Sequence, residues 1–119
     1  MPLANERPCL SVCLTCRDKD GARLHEALRP LMTNGVRLRS VICLANCEQG
    51  CSAAIQAPGK WSYLLGHLTP DLAADVAAYS ELYALSPTGF VSRAARAETL
   101  REAIVARVPA FPPDESETP

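Results

Sequence analysis

The chain has 119 residues, 48% hydrophobic and 21% charged, with six cysteines and a formal net charge of −1. That length fits one domain with a core of its own, so the cysteines are not needed merely to make it fold. Near-balanced charge leaves no electrostatic footprint for nucleic acid or an anionic membrane, and no apolar run reaches the roughly 18–20 residues of a membrane span.

In chain order, 1–7 reads as an N-terminal tail without the basic start and apolar stretch of a secretion signal, so a cytoplasmic protein is expected. The folded domain is expected over 8–108, and the proline-rich, acidic 109–119 as a disordered tail. Cys9–Cys13 has the composition of a short strand. A helix follows over about Gly21–Thr33, capped by Asp18 or Asp20, with Leu24, Leu28 and Leu31 on one stripe. Pro30 predicts a kink or an early end, and Asn34-Gly35 a left-handed stop. Val36–Cys43 reads as a second strand that turns wholly apolar, as if entering a core.

Ser52–Ala57 and Lys60–Leu65 predict a hairpin, with Pro58-Gly59 at the centre of a type II turn. Thr69 as N-cap, Pro70 in the first turn and Asp71 beside it announce a helix whose buried stripe is Leu72, Val76, Tyr79 and Tyr83. Ser86-Pro87-Thr88-Gly89 breaks it. Leu100, Ile104 and Val108 predict a last helix over about Ala95–Arg107. The expected fold is α/β, a mixed sheet built as β-α-β, then a β-hairpin, then two helices.

The cysteines are the informative feature, because thiols clustered in a reducing compartment point to metal binding or catalysis. Their spacing is Cys9-x3-Cys13-x2-Cys16-x26-Cys43-x3-Cys47-x3-Cys51. Each group lies at the end of a predicted strand, and parallel neighbouring strands put their carboxyl ends at one edge of the sheet. The loops after Cys13 and Cys43 then meet, and Cys13, Cys16, Cys43 and Cys47 converge. Cys9 lies about 13 Å back along the strand, too far to share a metal with Cys13, and is assigned to packing. Cys51 is a candidate alternative ligand if the stretch after Cys47 turns helically.

Four thiolates suit zinc or an iron–sulfur cluster. A domain with a full core does not need structural zinc, which weighs against zinc. Thiol–disulfide exchange at Cys13-Leu14-Thr15-Cys16 ranks last, because Arg17-Asp18-Lys19-Asp20 separates the motif from the helix start.

The stretch Val41-Ile42-Cys43-Leu44-Ala45-Asn46-Cys47, followed by Ala57-Pro58, resembles the second half of the site in thioredoxin-like [2Fe–2S] ferredoxins. The small thioredoxin-like subunit of bacterial NADH:quinone oxidoreductase is similar there. The first half departs from them, since only two residues separate Cys13 and Cys16. A wider resemblance covers nearly the whole folded region. Cys13-Leu14-Thr15-Cys16-Arg17, Cys43–Cys47 with Gly50-Cys51, Pro58–Tyr63, and the tail from Leu100-Arg101 through Pro109 resemble an uncharacterised bacterial family of predicted metal-binding proteins. The resemblance implies a metal centre on a thioredoxin-like scaffold, linked to cobalamin or metal metabolism.

The resulting expectation is a small electron carrier rather than an enzyme, binding a [2Fe–2S] cluster through Cys13, Cys16, Cys43 and Cys47. Asn46 and the Gln49-Gly50 backbone are expected to donate hydrogen bonds to sulfur. The alternative is a zinc- or cobalt-binding protein for metal delivery or sensing. A redox protein is the expected partner, nucleic acid and membrane are not, and the ferredoxin resemblance allows a homodimer. Trp61 and Tyr63 are assigned to packing on the sheet, and His25, His67 and the arginines of the last helix to solvated surface.

Overall fold

The β-α-β unit forms as the pattern predicts. A computed structural model describes residues 7–15, 20–33, 35–45 and 50–110. Cys9–Cys13 is β1, Asp20–Leu28 is α1 and Arg37–Val41 is β2. β1 and β2 pair in parallel, with Cys9 opposite Arg37 and Cys13 opposite Val41. The helix stops two residues before Pro30, and the amides of Leu31 and Met32 both return to the Leu28 carbonyl. The proline therefore gives an early end rather than a kink. Leu24 and Leu28 are buried, whereas Leu31 lies beyond the helix and is exposed. The expected cap Asp18, the stop at Asn34 and nearly all of both tails fall outside the described residues.

The second strand differs from expectation. β2 is an outer strand with mostly exposed side chains, and it ends at Val41 rather than Cys43. The apolar run continuing through Ile42 leaves the sheet, and Ile42 is 71% exposed. An outer strand is paired along one side only, so an apolar sequence there does not bring burial.

The hairpin is present as Cys51–Gln56 (β3) and Ser62–Leu68 (β4), paired antiparallel. The Lys60 amide donates to the Ala57 carbonyl at 3.2 Å, and Gly59 has φ +75, the position a type II turn reserves for glycine. The following helix begins as a single 3-10 turn, Pro70–Leu72, after an extended Thr69 whose side chain makes no cap bond. It continues as α2, Ala73–Leu85. Val76, Tyr79 and Tyr83 form its buried stripe, with Leu72 partly buried.

The expected last helix is a correction. Only Glu98–Leu100 makes a 3-10 turn, and Ile104–Val108 forms β5, antiparallel to β4. Leu100, Ile104 and Val108 imitate a helical stripe, but the β-branched Ile104-Val105 and Val108 suit a strand. β4 also offers a row of backbone groups for that strand to satisfy. Among the described residues the architecture is a mixed five-stranded sheet, ordered β2-β1-β3-β4-β5, with two α-helices.

Register separates the faces of this sheet. Leu10 is opposite Ile55, and Ile55 is opposite Tyr63, so these side chains share one face. The Tyr63 ring meets Tyr83 of α2 edge-on at 6.2 Å, which identifies that face as the helix-covered one. Leu10, Val12, Ile55 and Leu65 are buried there with Leu24, Leu28, Val76 and Tyr83. By alternation, Cys9, Ser11 and Cys13 belong to the opposite face.

Candidate functional site

Because β1 and β2 run in parallel, their carboxyl ends form one edge, and the chain leaving each is tied to the other. The Leu14 amide donates to the Val41 carbonyl at 2.9 Å, and the Thr15 hydroxyl donates to the Ile42 carbonyl at 2.6 Å. Cys13 Sγ lies 3.7 Å from both the Thr15 hydroxyl and the Ile42 carbonyl. The two strand ends therefore meet, the chain after Cys13 touching Val41 and Ile42 ahead of Cys43. Thr15, inside the Cys-x-x-Cys stretch, is the residue that ties them.

Cys13 is fully buried and Cys43 is exposed. The chain curls back at Cys43, where Ala45 takes a left-handed φ of 56 and its amide donates to Cys43 Sγ at 3.2 Å. Such a backbone is costly for a non-glycine residue, and here it turns an N–H onto a sulfur. Of the expected donors, Asn46 and Gln49 lie outside the described residues and Gly50 takes a left-handed φ of 78, while Ala45 is a donor that the sequence reading missed. Its left-handed backbone had no signal in the residue type.

Cys51 opens β3. That strand is antiparallel to β1, with Ala53 opposite Val12, so Cys51 reaches the same edge as Cys13 and Cys43. It is buried in the core cluster. Cys16 and Cys47 fall outside the described residues. Among the described residues, no three Cys, His, Asp or Glu side chains converge on a point that would hold a metal ion.

Gly21 matters to this edge in a way its place in the sequence did not advertise. A Cβ there would stand 2.0 Å from the Cys13 carbonyl oxygen, so the first turn of α1 lies directly on the end of β1. Only glycine permits that approach.

The other candidates are structural. Trp61 and Tyr63 are buried as expected. Lys60 Nζ donates to the Tyr83 and Ala84 carbonyls at 3.3 and 2.9 Å, closing the end of α2, and partial burial lowers its pKa. Arg93 pairs with Glu102 at the surface and holds that carboxyl below its usual range. Arg107 stacks over the Trp61 ring at 5.5 Å. His67 is exposed. Among the described residues, no helix is long and apolar enough to cross a membrane.

Residues 10–110 match the family model described as a protein of unknown function (DUF1636). No curated protein and no solved structure matches the chain.

Proposed function

The chain belongs to the DUF1636 family, and we propose that its sheet edge is a thiolate metal centre, a [2Fe–2S] site serving one-electron transfer on a thioredoxin-like scaffold. The observation that carries this reading is the joining of the β1 and β2 ends through Thr15 and Ile42, which brings the stretches bearing Cys13 and Cys43 together. A β-α-β unit followed by an antiparallel hairpin supports the scaffold reading.

The donor chemistry fits such a group. Cys13 and Cys43 would hold it with Cys16 and Cys47, one residue of each pair starting from the joined strand ends. A bound cluster supplies reversible acceptance of one electron. The Ala45 amide donates a hydrogen bond to Cys43 sulfur, and the burial of Cys13 keeps water from one side of the site. The exposed Cys43 side gives a partner protein an approach. Cys51, buried at the same edge, is the reserve ligand.

Purification without oxygen, a visible spectrum, and iron, sulfide and zinc analysis test the reading. The expected result is a coloured protein holding iron and sulfide in equal amounts. Serine at Cys13, Cys16, Cys43 or Cys47 should bleach it, and Cys9→Ser should not. A colourless protein with zinc and no sulfide would overturn the cluster in favour of metal delivery or sensing.

A further inference from the structure

On the face opposite the helices, at the far end of β1 from Cys13, lies a groove of about 490 Å³, a size typical of small-molecule sites. Cys9, Arg37, Arg39, Gln56 and Ser62 line it from four adjacent strands, and Ala57, Pro58, Val108 and Pro109 give it an apolar wall. Arg7 also reaches it, and Lys60 borders it with its ammonium held on the Tyr83 and Ala84 carbonyls, whereas no acidic side chain lines it among the described residues. In a chain of net charge −1, three arginines around one concavity are a local concentration of charge.

The two arginines are placed to grip rather than merely to attract. Arg37 and Arg39 are alternate residues of β2, so both point to one face about 6.6 Å apart along the strand. Arg39 Nε donates to the buried Ser11 hydroxyl at 2.6 Å, which fixes the guanidinium plane and leaves its terminal N–H groups available. Neither arginine forms an ion pair among the described residues. Guanidinium forks match phosphate and carboxylate oxygens in pairs.

We propose that this groove binds a small molecule carrying two or more phosphate or carboxylate groups on an apolar body, gripped by Arg37 and Arg39. The site does not depend on the metal-centre reading, because about 13 Å of strand separates Cys9 from Cys13.

Calorimetric titration of the full-length protein with pyrophosphate and, separately, citrate tests it. Saturable binding of at least one probe is expected, and the better probe tells phosphate from carboxylate ligands. Arg37→Gln and Arg39→Gln should each weaken it about ten- to a hundredfold. Arg23→Gln in α1 and Arg29→Gln just beyond its end, both exposed, should leave it unchanged. Saturating probe should also slow alkylation of Cys9, mapped by mass spectrometry, with no change at Cys43. Absence of binding to both probes would overturn the proposal. So would equal weakening by the α1 variants, which would make the attraction a property of overall charge. Thermal melts confirm that each variant is folded.

Discussion

The two faces of the sheet are built for different ends. One is closed by α1 and α2 over Leu10, Val12, Ile55, Tyr63 and Leu65, with buried tyrosines and glycine-tight approaches. The other carries Cys9, Arg37, Arg39, Gln56 and Ser62 around an open groove. On the closed face each atom is fixed by its neighbours, so substitutions there are felt as lost stability. On the open face side chains have room and charge, so substitutions there should be felt in binding and hardly in folding. Cys13 joins the two regimes. It belongs by alternation to the open face, yet the joined loops bury it.

The most severe break in this contrast is expected at Gly21. Gly21→Ala drives a Cβ into the Cys13 carbonyl, and either α1 or the end of β1 must move. The expected loss is about 3 kcal/mol or more, read from urea unfolding. A melt like that of the parent would show that α1 does not rest on β1 as described.

Tyr83→Phe comes next. The Tyr83 hydroxyl donates to the Trp61 carbonyl at 2.6 Å in the core, and its loss strands that carbonyl. A cost of about 1–3 kcal/mol is expected, without change in far-ultraviolet dichroism.

The pH response sharpens the same face. Burial first, and then neighbouring tyrosines, raise the pKa values of Tyr79 and Tyr83 well above the ordinary value of about 10. The unfolded chain therefore releases these protons first. The tyrosine contribution is fully present below about pH 10 and is lost as pH rises through the folded values. Lys60, shifted downward by partial burial, has the opposite sign and offsets part of the fall. The urea midpoint should drop above about pH 10, less steeply in Tyr83→Phe. An equally steep drop in that variant would remove Tyr83 from the account.

The smallest effect belongs to the open face. Cys9→Ser and Arg37→Gln should each change stability by no more than about 0.5 kcal/mol. A larger loss in either would show that the face is part of the core rather than a site.

Much of this architecture was legible in the residues. Cys9–Cys13, the Pro58-Gly59 turn and the stripe of Val76, Tyr79 and Tyr83 all declare themselves through local propensity and period. So did the meeting of the ends of β1 and β2, because it follows from parallel pairing alone. The last helix did not hold, since Leu100, Ile104 and Val108 fit a helical period while the open edge of β4 drew Ile104–Val108 into the sheet. The outer position of β2 was equally hidden, because an apolar sequence such as Val41–Leu44 says nothing of how many neighbours a strand has. The Arg37-x-Arg39 alternation was visible as a strand pattern, but its meaning needed Ser11, Gln56 and Ser62 beside it.

The sequence by itself determined most of the local elements up to the end of α2, the membership of residues 10–110 in one family, and a set of cysteines at or near two strand ends. Those depend on near neighbours and spacing, which a linear chain displays. Tertiary structure alone decided that Gly21 lies against the Cys13 carbonyl and that Ala45 turns its amide to a sulfur. It alone decided that two arginines of an outer strand share a groove with β5. Each depends on strand order, register or which face a helix covers, and these are settled only when distant parts of the chain compete for the same hydrogen bonds and the same buried space.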